Sequence, residues 1–171
     1  MTEYSKQILS DPKLLREKLS IYLNGSDSVE SYARACEKFF KAGKGEELKF
    51  KATWSWWGFL LTLIVGNFWI PWLLLYRGAV SRAFWIIMYA ILVIIVLVLG
   101  EQRGVIVGLF LTISMISIPF YVGFISKYAV CEIFVKKLDR QDDTELKANQ
   151  GWFSFFLFLS IFVGIALLIL R

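Results

Sequence analysis

Residues 54–77 decide how this chain folds, and they read WSWWGFLLTLIVGNFWIPWLLLYR. The stretch has no charged side chain before Arg77 and contains five of the seven tryptophans. An apolar helix of about 20 residues can cross the roughly 30 Å hydrocarbon core of a bilayer. Gly66, Asn67 and Pro71 interrupt the run, and hydrocarbon tolerates a broken backbone ladder only where protein or water satisfies the freed groups. The stretch is therefore either one kinked span or a re-entrant pair of half-helices.

The composition of the 171-residue chain is typical of an integral membrane protein. Hydrophobic residues make up 57 % of it, whereas an average soluble domain is about 45–50 % apolar. The net charge of +5 is not concentrated on a basic face interleaved with aromatic residues, so no nucleic-acid partner is expected. The chain has no histidine, which removes the commonest general base and metal ligand. We therefore expect no enzyme activity, no catalytic residue, no metal site and no cofactor.

Residues 1–53 form a polar segment in which ten Lys/Arg accompany eight Asp/Glu. Pro12 after an aspartate predicts the start of one helix, and Asn24-Gly25 predicts its end. A second helix is expected to begin after Asp27 and to end at Gly43. The pattern thus predicts a cytoplasmic helical hairpin. The segment has no apolar run of the signal-peptide kind, so the first apolar stretch is expected to act as its own insertion signal.

The apolar face of the second helix allows two interpretations. Its members are Tyr32, Cys36, Phe39 and Phe40. The first interpretation is burial within the hairpin or against the membrane surface. The second makes Phe39 and Phe40 a docking site for a partner protein. The chain has only two cysteines and no CxxC spacing, so neither a disulfide framework nor a zinc site is indicated.

Three further apolar segments predict transmembrane helices at about 83–100, 105–126 and 152–170. Together with residues 54–76 they make up a membrane domain over 54–171, with a polar connector at 127–151. Gly104, Gly108 and Thr112 form a row of small residues, which favours close packing of helices within the chain or between copies of it. The fold class predicted is an all-α, polytopic membrane protein.

The distribution of basic residues distinguishes the two arrangements of residues 54–76, because Lys/Arg-rich short loops stay cytoplasmic. If the stretch spans, the cytoplasmic side holds 12 Lys/Arg and the outer side 7; if it is re-entrant, the numbers are 17 and 2. The count favours the re-entrant arrangement, with both cysteines in the reducing cytoplasm. Tryptophans at both ends of the stretch also resemble the two aromatic belts of a true span, so that alternative stays open.

Three short motifs follow one another between about residues 20 and 80. They are a charged segment with a tyrosine and paired phenylalanines, a Trp/Phe-rich run, and a run of the Trp-Leu-Leu-Tyr-Arg type. The matching residues are Tyr32, Phe39, Phe40, residues 55–60 (SWWGFL) and residues 72–77 (WLLLYR). This order resembles a family of small, functionally uncharacterised bacterial inner-membrane proteins. The resemblance implies a helical protein of the bacterial inner membrane and implies no particular activity.

Two functions are compatible with these features. The first is an adaptor, assembly or accessory subunit of a membrane complex, whose partners are the lipid bilayer, a membrane or cytoplasmic protein and possible further copies of the chain. The second is a transport or channel component that uses the Gly66-Asn67 break, with Pro71, Tyr76 and Arg77 forming the exit of the re-entrant segment. Transport pathways usually contain intramembrane charged residues, and the predicted spans have none. The adaptor is therefore the favoured hypothesis.

Overall fold

The structure is a computed structural model that describes residues 1–65, 71–99, 105–140 and 146. Every regular element in these ranges is helical, as the sequence predicts. The predictions for Gly66, Asn67, Gly104 and residues 152–170 lie outside the described residues. The helices are α1 Glu3–Ser10, α2 Pro12–Tyr22, α3 Val29–Ala42, α4 Trp56–Leu60, α5 Trp72–Tyr76, α6 Val80–Leu99 and α7 Val105–Asp139, with a π-helical turn at Leu61–Val65.

The N-terminal segment contains three helices, where the sequence predicted two. The additional helix, α1, is capped by Thr2, whose hydroxyl accepts a hydrogen bond from the Ser5 amide at 3.3 Å. Helix α2 begins as predicted, because the Asp11 carboxylate accepts hydrogen bonds from the amides after Pro12. It stops where Asn24 and Gly25 take up left-handed backbone angles, a conformation that asparagine and glycine tolerate best.

These three helices share one core with the second half of α7. Its largest fully buried side chains are Tyr22, Phe39, Phe134, Leu15, Leu19 and Leu138. Packing of the N-terminal segment against α7 is expected, because a segment of about fifty residues buries too little surface to form a core of its own. We call residues 1–53 together with 128–139 the head.

The sequence predicted that an apolar helix ends at residue 126, and the structure corrects this boundary. The helix continues to Asp139 without interruption, so the first part of the predicted polar connector is an extension of the apolar helix. The reason is visible in the sequence: apolar residues continue at helical spacing beyond Lys127, and they are buried in the head. They are Val130, Cys131, Phe134, Val135 and Leu138.

Helices α4, α5 and α6 pack around residues 105–126 of α7, and we call this part the base. Helices α6 and α7 are antiparallel, since Arg82 pairs with Glu132 whereas Ile86 and Tyr89 share a groove with Ile118. The core of the base consists of Leu74, Leu75, Ala79, Ala83, Ile86, Ala90, Ile118, Val122, Ile125 and Ala129. Its small residues let α6 approach α7 closely.

One helical stretch among the described residues, Thr112–Asp139, is long and apolar enough to cross a membrane, and 61 % of its most apolar window is buried within the protein. Val80–Val93 is a shorter apolar helix. A helix buried in the core of a soluble protein has the same length and composition, so this finding alone supports membrane association only weakly.

Candidate functional site

The candidate site is the junction at which both ends of residues 54–77 meet the head and α7. At the first end, the Ser55 amide donates a hydrogen bond to the Gly123 carbonyl oxygen at 2.8 Å. The Trp54 indole lies over Gly123, where an added Cβ would be 2.9 Å from the ring. Only glycine therefore lets the indole rest on the helix, where Phe59, Phe120 and Phe124 surround it.

A second glycine brings α4 onto α7 one turn further along. A Cβ at Gly58 would collide with the Ser126 side chain and would lie 3.2 Å from the Val122 carbonyl oxygen. The Ser55 hydroxyl caps α4 by accepting a hydrogen bond from the Gly58 amide at 3.2 Å. The WSWWGFL motif is thus a capped helical turn that lies against α7, which the spacing of its residues did not reveal.

The second helix of the stretch, α5, packs against the first part of the stretch. After the π-helical turn at Leu61–Val65 and residues 66–70, helix α5 contacts both α4 and that turn. Pro71 begins α5, because its carbonyl oxygen accepts hydrogen bonds from the amides of Leu74 and Leu75 at 2.9 and 3.2 Å. Buried Thr62 donates its hydroxyl proton to the Gly58 carbonyl oxygen at 2.8 Å. The two ends of the stretch therefore lie side by side within the described residues.

Arg77 ends the stretch and ties it to the head. Its guanidinium lies over the rings of Tyr32 and Tyr76, at 5.7 and 5.2 Å from their centroids, and donates a hydrogen bond to the Ser28 hydroxyl at 3.3 Å. The Tyr22 hydroxyl donates a hydrogen bond to the Arg77 carbonyl oxygen at 3.2 Å. Burial raises the pKa values of Tyr22 and Tyr32, and the Arg77 charge partly opposes this.

An ion-pair cluster connects α6 to the same region. Arg82 pairs with Glu132, which also pairs with Lys136 at 3.0 Å. The Arg82 guanidinium lies 5.2 Å from the ring centroid of Tyr128, whose hydroxyl donates to the Leu48 carbonyl oxygen at 3.1 Å. The start of α6 is therefore fixed at the level of the head.

The two cysteines correct a prediction from the sequence. Cys36 and Cys131 are paired as a disulfide between α3 and α7, with Cα atoms 5.8 Å apart, and both are fully buried. They are separated by 95 residues, so no local spacing could indicate the pair. The pairing links the N-terminal segment to α7.

Phe39 and Phe40, the predicted docking pair, lie in different environments. Phe39 is fully buried, with its ring centroid 5.2 Å from that of Tyr128. It belongs to the head core and is not accessible to a partner in this arrangement. Phe40 is half-buried and lines an open depression between α1 and α3 together with Tyr4. Of the two, Phe40 alone remains a candidate docking residue.

The predicted row of small residues on α7 does not pack helices together within the described part of the chain. A Cβ at Gly108 would meet only open space. Thr112 is exposed and donates its hydroxyl proton to the Gly108 carbonyl oxygen of its own helix at 2.9 Å. Neither Gly108 nor Thr112 therefore contacts another described helix through its side-chain position.

A metal site is likewise not formed within the described ranges, where no group of three or more Cys, Asp or Glu side chains converges. Asp139 instead accepts hydrogen bonds from the amide and hydroxyl of Thr2 at 2.8 and 2.9 Å. Partial burial raises the pKa of Asp139, but hydrogen bonding to the Ser5 side chain and then to Thr2 outweighs it, and the net shift is downward. The carboxylate thus holds the N-terminus of α1 against the end of α7.

Comparison with protein-family models, curated proteins and solved structures finds no match to this chain. The candidate function therefore rests on the geometry of the junction and on the surface of the base.

Proposed function

We propose that the protein is a multi-pass membrane protein that acts as an adaptor or accessory subunit of a membrane complex. The support for membrane insertion is an apolar belt on the outer surface of α6 and α7. Its exposed members include Phe84, Trp85, Met88, Leu92, Ile95, Leu109, Ile113, Ile116, Phe120 and Phe124. Soluble monomers rarely expose contiguous apolar patches larger than a few hundred Å², whereas lipid tails cover such a belt at no cost.

The head supports a re-entrant arrangement of residues 54–76 in that membrane. Residues 1–53 and 128–139 share one core, so they lie on the same side of any bilayer. Tyr22 bonds to Arg77, and Arg82 pairs with Glu132. The stretch consequently leaves from the head side at Trp54 and returns to it at Arg77.

We place the head in the cytoplasm because this orientation puts 17 of the 19 Lys/Arg on the inner side. The pairing of Cys36 with Cys131 argues for the opposite orientation, because disulfides persist mainly in oxidising compartments. Sidedness labelling separates the two orientations. The resemblance to small bacterial inner-membrane proteins agrees with the first one and remains a prediction.

The observation that carries the adaptor function is the continuity of α7. One helix of 35 residues forms both the centre of the base and one wall of the head. A partner that binds the head is therefore held at a fixed height and orientation above the bilayer. The depression around Phe40 and Tyr4, with a volume of about 690 Å³, is the surface of the head that best suits a partner protein.

A site-specific photo-crosslinking experiment in living cells tests the adaptor function. A photoreactive residue is placed at Gln7, which lines the depression, and at Lys13, an exposed position on α2, as the control. We expect one discrete adduct from Gln7 and none from Lys13, and Phe40→Ala should abolish the adduct. The adaptor proposal fails if Gln7 gives no adduct and the protein migrates on native gels of whole membranes as it does when purified.

A transport or channel role is the second candidate, and the π-helical turn at Leu61–Val65 favours it. Such turns are frequent at functional sites, and this one immediately precedes Gly66-Asn67. On this proposal, Asn67→Leu abolishes a solute flux into vesicles while the purified protein keeps its wild-type melting temperature. Equal flux in wild type, Asn67→Leu and empty vesicles contradicts it.

A further inference from the structure

An open groove lies on the outer face of α3. It has a volume of about 450 Å³ and runs along α3 towards the junction of head and base. Its lining consists of Asp27, Glu30, Ser31, Arg34, Ala35, Lys38, Thr53 and Lys127. Asp27 lies just before α3, and Glu30, Arg34 and Lys38 follow one another along one face of the helix. The groove is therefore acidic at one end and basic at the other.

The negative charge at the acidic end is already partly neutralised. The Glu30 carboxylate pairs with Arg16 at 2.8 Å and with Arg34 at 3.0 Å. Lys127, at the basic end, has no carboxylate partner within the described residues. Burial lowers the pKa of Lys127, and the positive charges of Arg34 and Lys38 lower it further. Like charges therefore converge at this end, and among the described residues only Arg34 of these three has a carboxylate partner.

A buried hydroxyl lies at the same end. The Thr53 Oγ1 atom is inaccessible to water and has no hydrogen-bond partner in the described structure. Lys38 is positioned next to it, since its Nζ donates a hydrogen bond to the Ala52 carbonyl oxygen at 2.8 Å. An unpaired buried hydroxyl destabilises the structure, and a bound acceptor would satisfy it.

The basic end lies where the apolar belt meets the head. Thr53 immediately precedes Trp54, which rests on Gly123. Lys127 follows Gly123 by one helical turn of α7. The cations therefore stand at the level at which a bilayer around the base would place its headgroups.

We propose that the basic end of this groove binds the phosphodiester of an anionic phospholipid headgroup. Lys38 and Lys127 supply the positive charge, and Thr53 donates a hydrogen bond to a phosphate oxygen. The carboxylates of Asp27 and Glu30 repel a second phosphate, so the groove accepts one lipid. The assignment to a lipid rests on the proposed bilayer around the base, whereas the same phosphate chemistry would also suit inorganic phosphate.

Native mass spectrometry of the full-length protein in detergent tests this proposal. The protein is incubated with equal amounts of phosphatidylglycerol and phosphatidylcholine that carry the same acyl chains. We expect phosphatidylglycerol adducts to exceed phosphatidylcholine adducts at least fivefold, because both lipids have the phosphodiester but only the first has a net negative charge. The double variant Lys38→Gln/Lys127→Gln should reduce this ratio to about one, and Thr53→Val should reduce it at least twofold.

Matched variants keep the result interpretable. Lys41→Gln removes the same charge from the same helix outside the groove, so it should retain the wild-type ratio. Lys38→Arg/Lys127→Arg preserves both charges and should retain the preference, which makes the test readable even if the Gln variants lose their fold.

Four results would overturn the inference or part of its basis. The groove proposal is wrong if wild type shows no preference, or if the Gln double variant keeps the preference. If 10 mM inorganic phosphate displaces phosphatidylglycerol from the wild-type protein, the groove is a site for free phosphate and the lipid proposal is wrong. Loss of all lipid adducts, phosphatidylcholine included, would instead contradict the bilayer around the base.

Discussion

Gly58 of α4 lies directly against the side chain of Ser126 in α7, and any Cβ at position 58 would occupy the space of the Ser126 hydroxyl. This contact seats the first part of residues 54–77 on the helix that also supports the head. We predict that Gly58→Ala lowers the free energy of unfolding by about 1–3 kcal/mol, as overpacking of a tight interface does. Thermal unfolding of the purified protein in detergent measures the effect.

The double variant Gly58→Ala/Ser126→Gly provides the control for this contact. Removal of the Ser126 side chain makes room for the new methyl group, so we expect the double variant to recover part of the lost stability. The effects of the two single changes would then be non-additive, as they are for residues in direct contact. Strict additivity would show that α4 does not rest on α7 at this point.

Phe39 and Phe40 are predicted to behave differently despite their adjacency. Phe39 is fully buried, so Phe39→Ala should cost about 3–5 kcal/mol of stability. Phe40 is half-buried, so Phe40→Ala should cost about 1 kcal/mol and should act mainly on partner binding. Denaturation of the two variants in parallel checks this, and equal destabilisation would contradict the placement of Phe39 in the head core.

The stability of the head should depend on pH through Glu30. Hydrogen bonds from Arg16, and then from Arg34, lower the pKa of Glu30 from 4.5 to about 2. A carboxyl whose pKa is lower in the folded state stabilises the fold above its unfolded pKa, and this contribution is lost as the pH falls through the folded pKa. We therefore expect the melting temperature to fall more steeply between pH 4.5 and about pH 2 in wild type than in Glu30→Gln.

The size of this pH effect should be small, because the three side chains are exposed to solvent and such pairs are screened by salt. High salt should therefore reduce the difference between wild type and Glu30→Gln. Identical melting curves of the two proteins at low salt over this pH range would show that the Arg16–Glu30–Arg34 cluster does not form.

The apolar belt yields a prediction that separates a membrane protein from a soluble one. Ile113 is 59 % exposed on α7, and Ile113→Lys should cost about 2.5–3.5 kcal/mol for insertion into a bilayer. The protein should then become extractable from membranes with alkaline carbonate or be degraded. Ile21→Lys, at a 40 % exposed isoleucine of the head, is the control and should have no effect. Equal behaviour of the two variants would contradict a lipid-facing belt.

Local signals in the sequence were sufficient to predict part of this fold. The Asp11-Pro12 start of α2 and the Asn24-Gly25 stop depend on capping and backbone preferences of adjacent residues. The uncharged run over 83–100 predicted α6, which the structure gives as Val80–Leu99. Helix α1 has a comparable cap at Thr2, but with eight residues it is too short to show clear periodicity.

The remaining features depend on contacts between distant residues, which a single sequence does not reveal. The change from apolar to charged residues at Lys127 indicated a boundary, although the helix continues and buries one face in the head. The glycines at 58 and 123 gave no signal until Ser126 and Trp54 were placed against them. Phe39 had the pattern of a docking residue because an apolar stripe looks the same whether it meets α7 or a partner.

The central claim is that the head lies in the cytoplasm and that the base spans the membrane. The sidedness of three positions tests it most directly. Single cysteines replace Lys44, Lys136 or Gln102 in a background in which Cys36 and Cys131 are serine, and intact cells are treated with a membrane-impermeant maleimide. We expect Lys44→Cys and Lys136→Cys to react only after permeabilisation, whereas Gln102→Cys should react in intact cells. Different labelling of Lys44→Cys and Lys136→Cys would contradict the shared core of the head, and exclusive labelling of both from outside would reverse the orientation. Equal labelling of all three positions would contradict a membrane-spanning base.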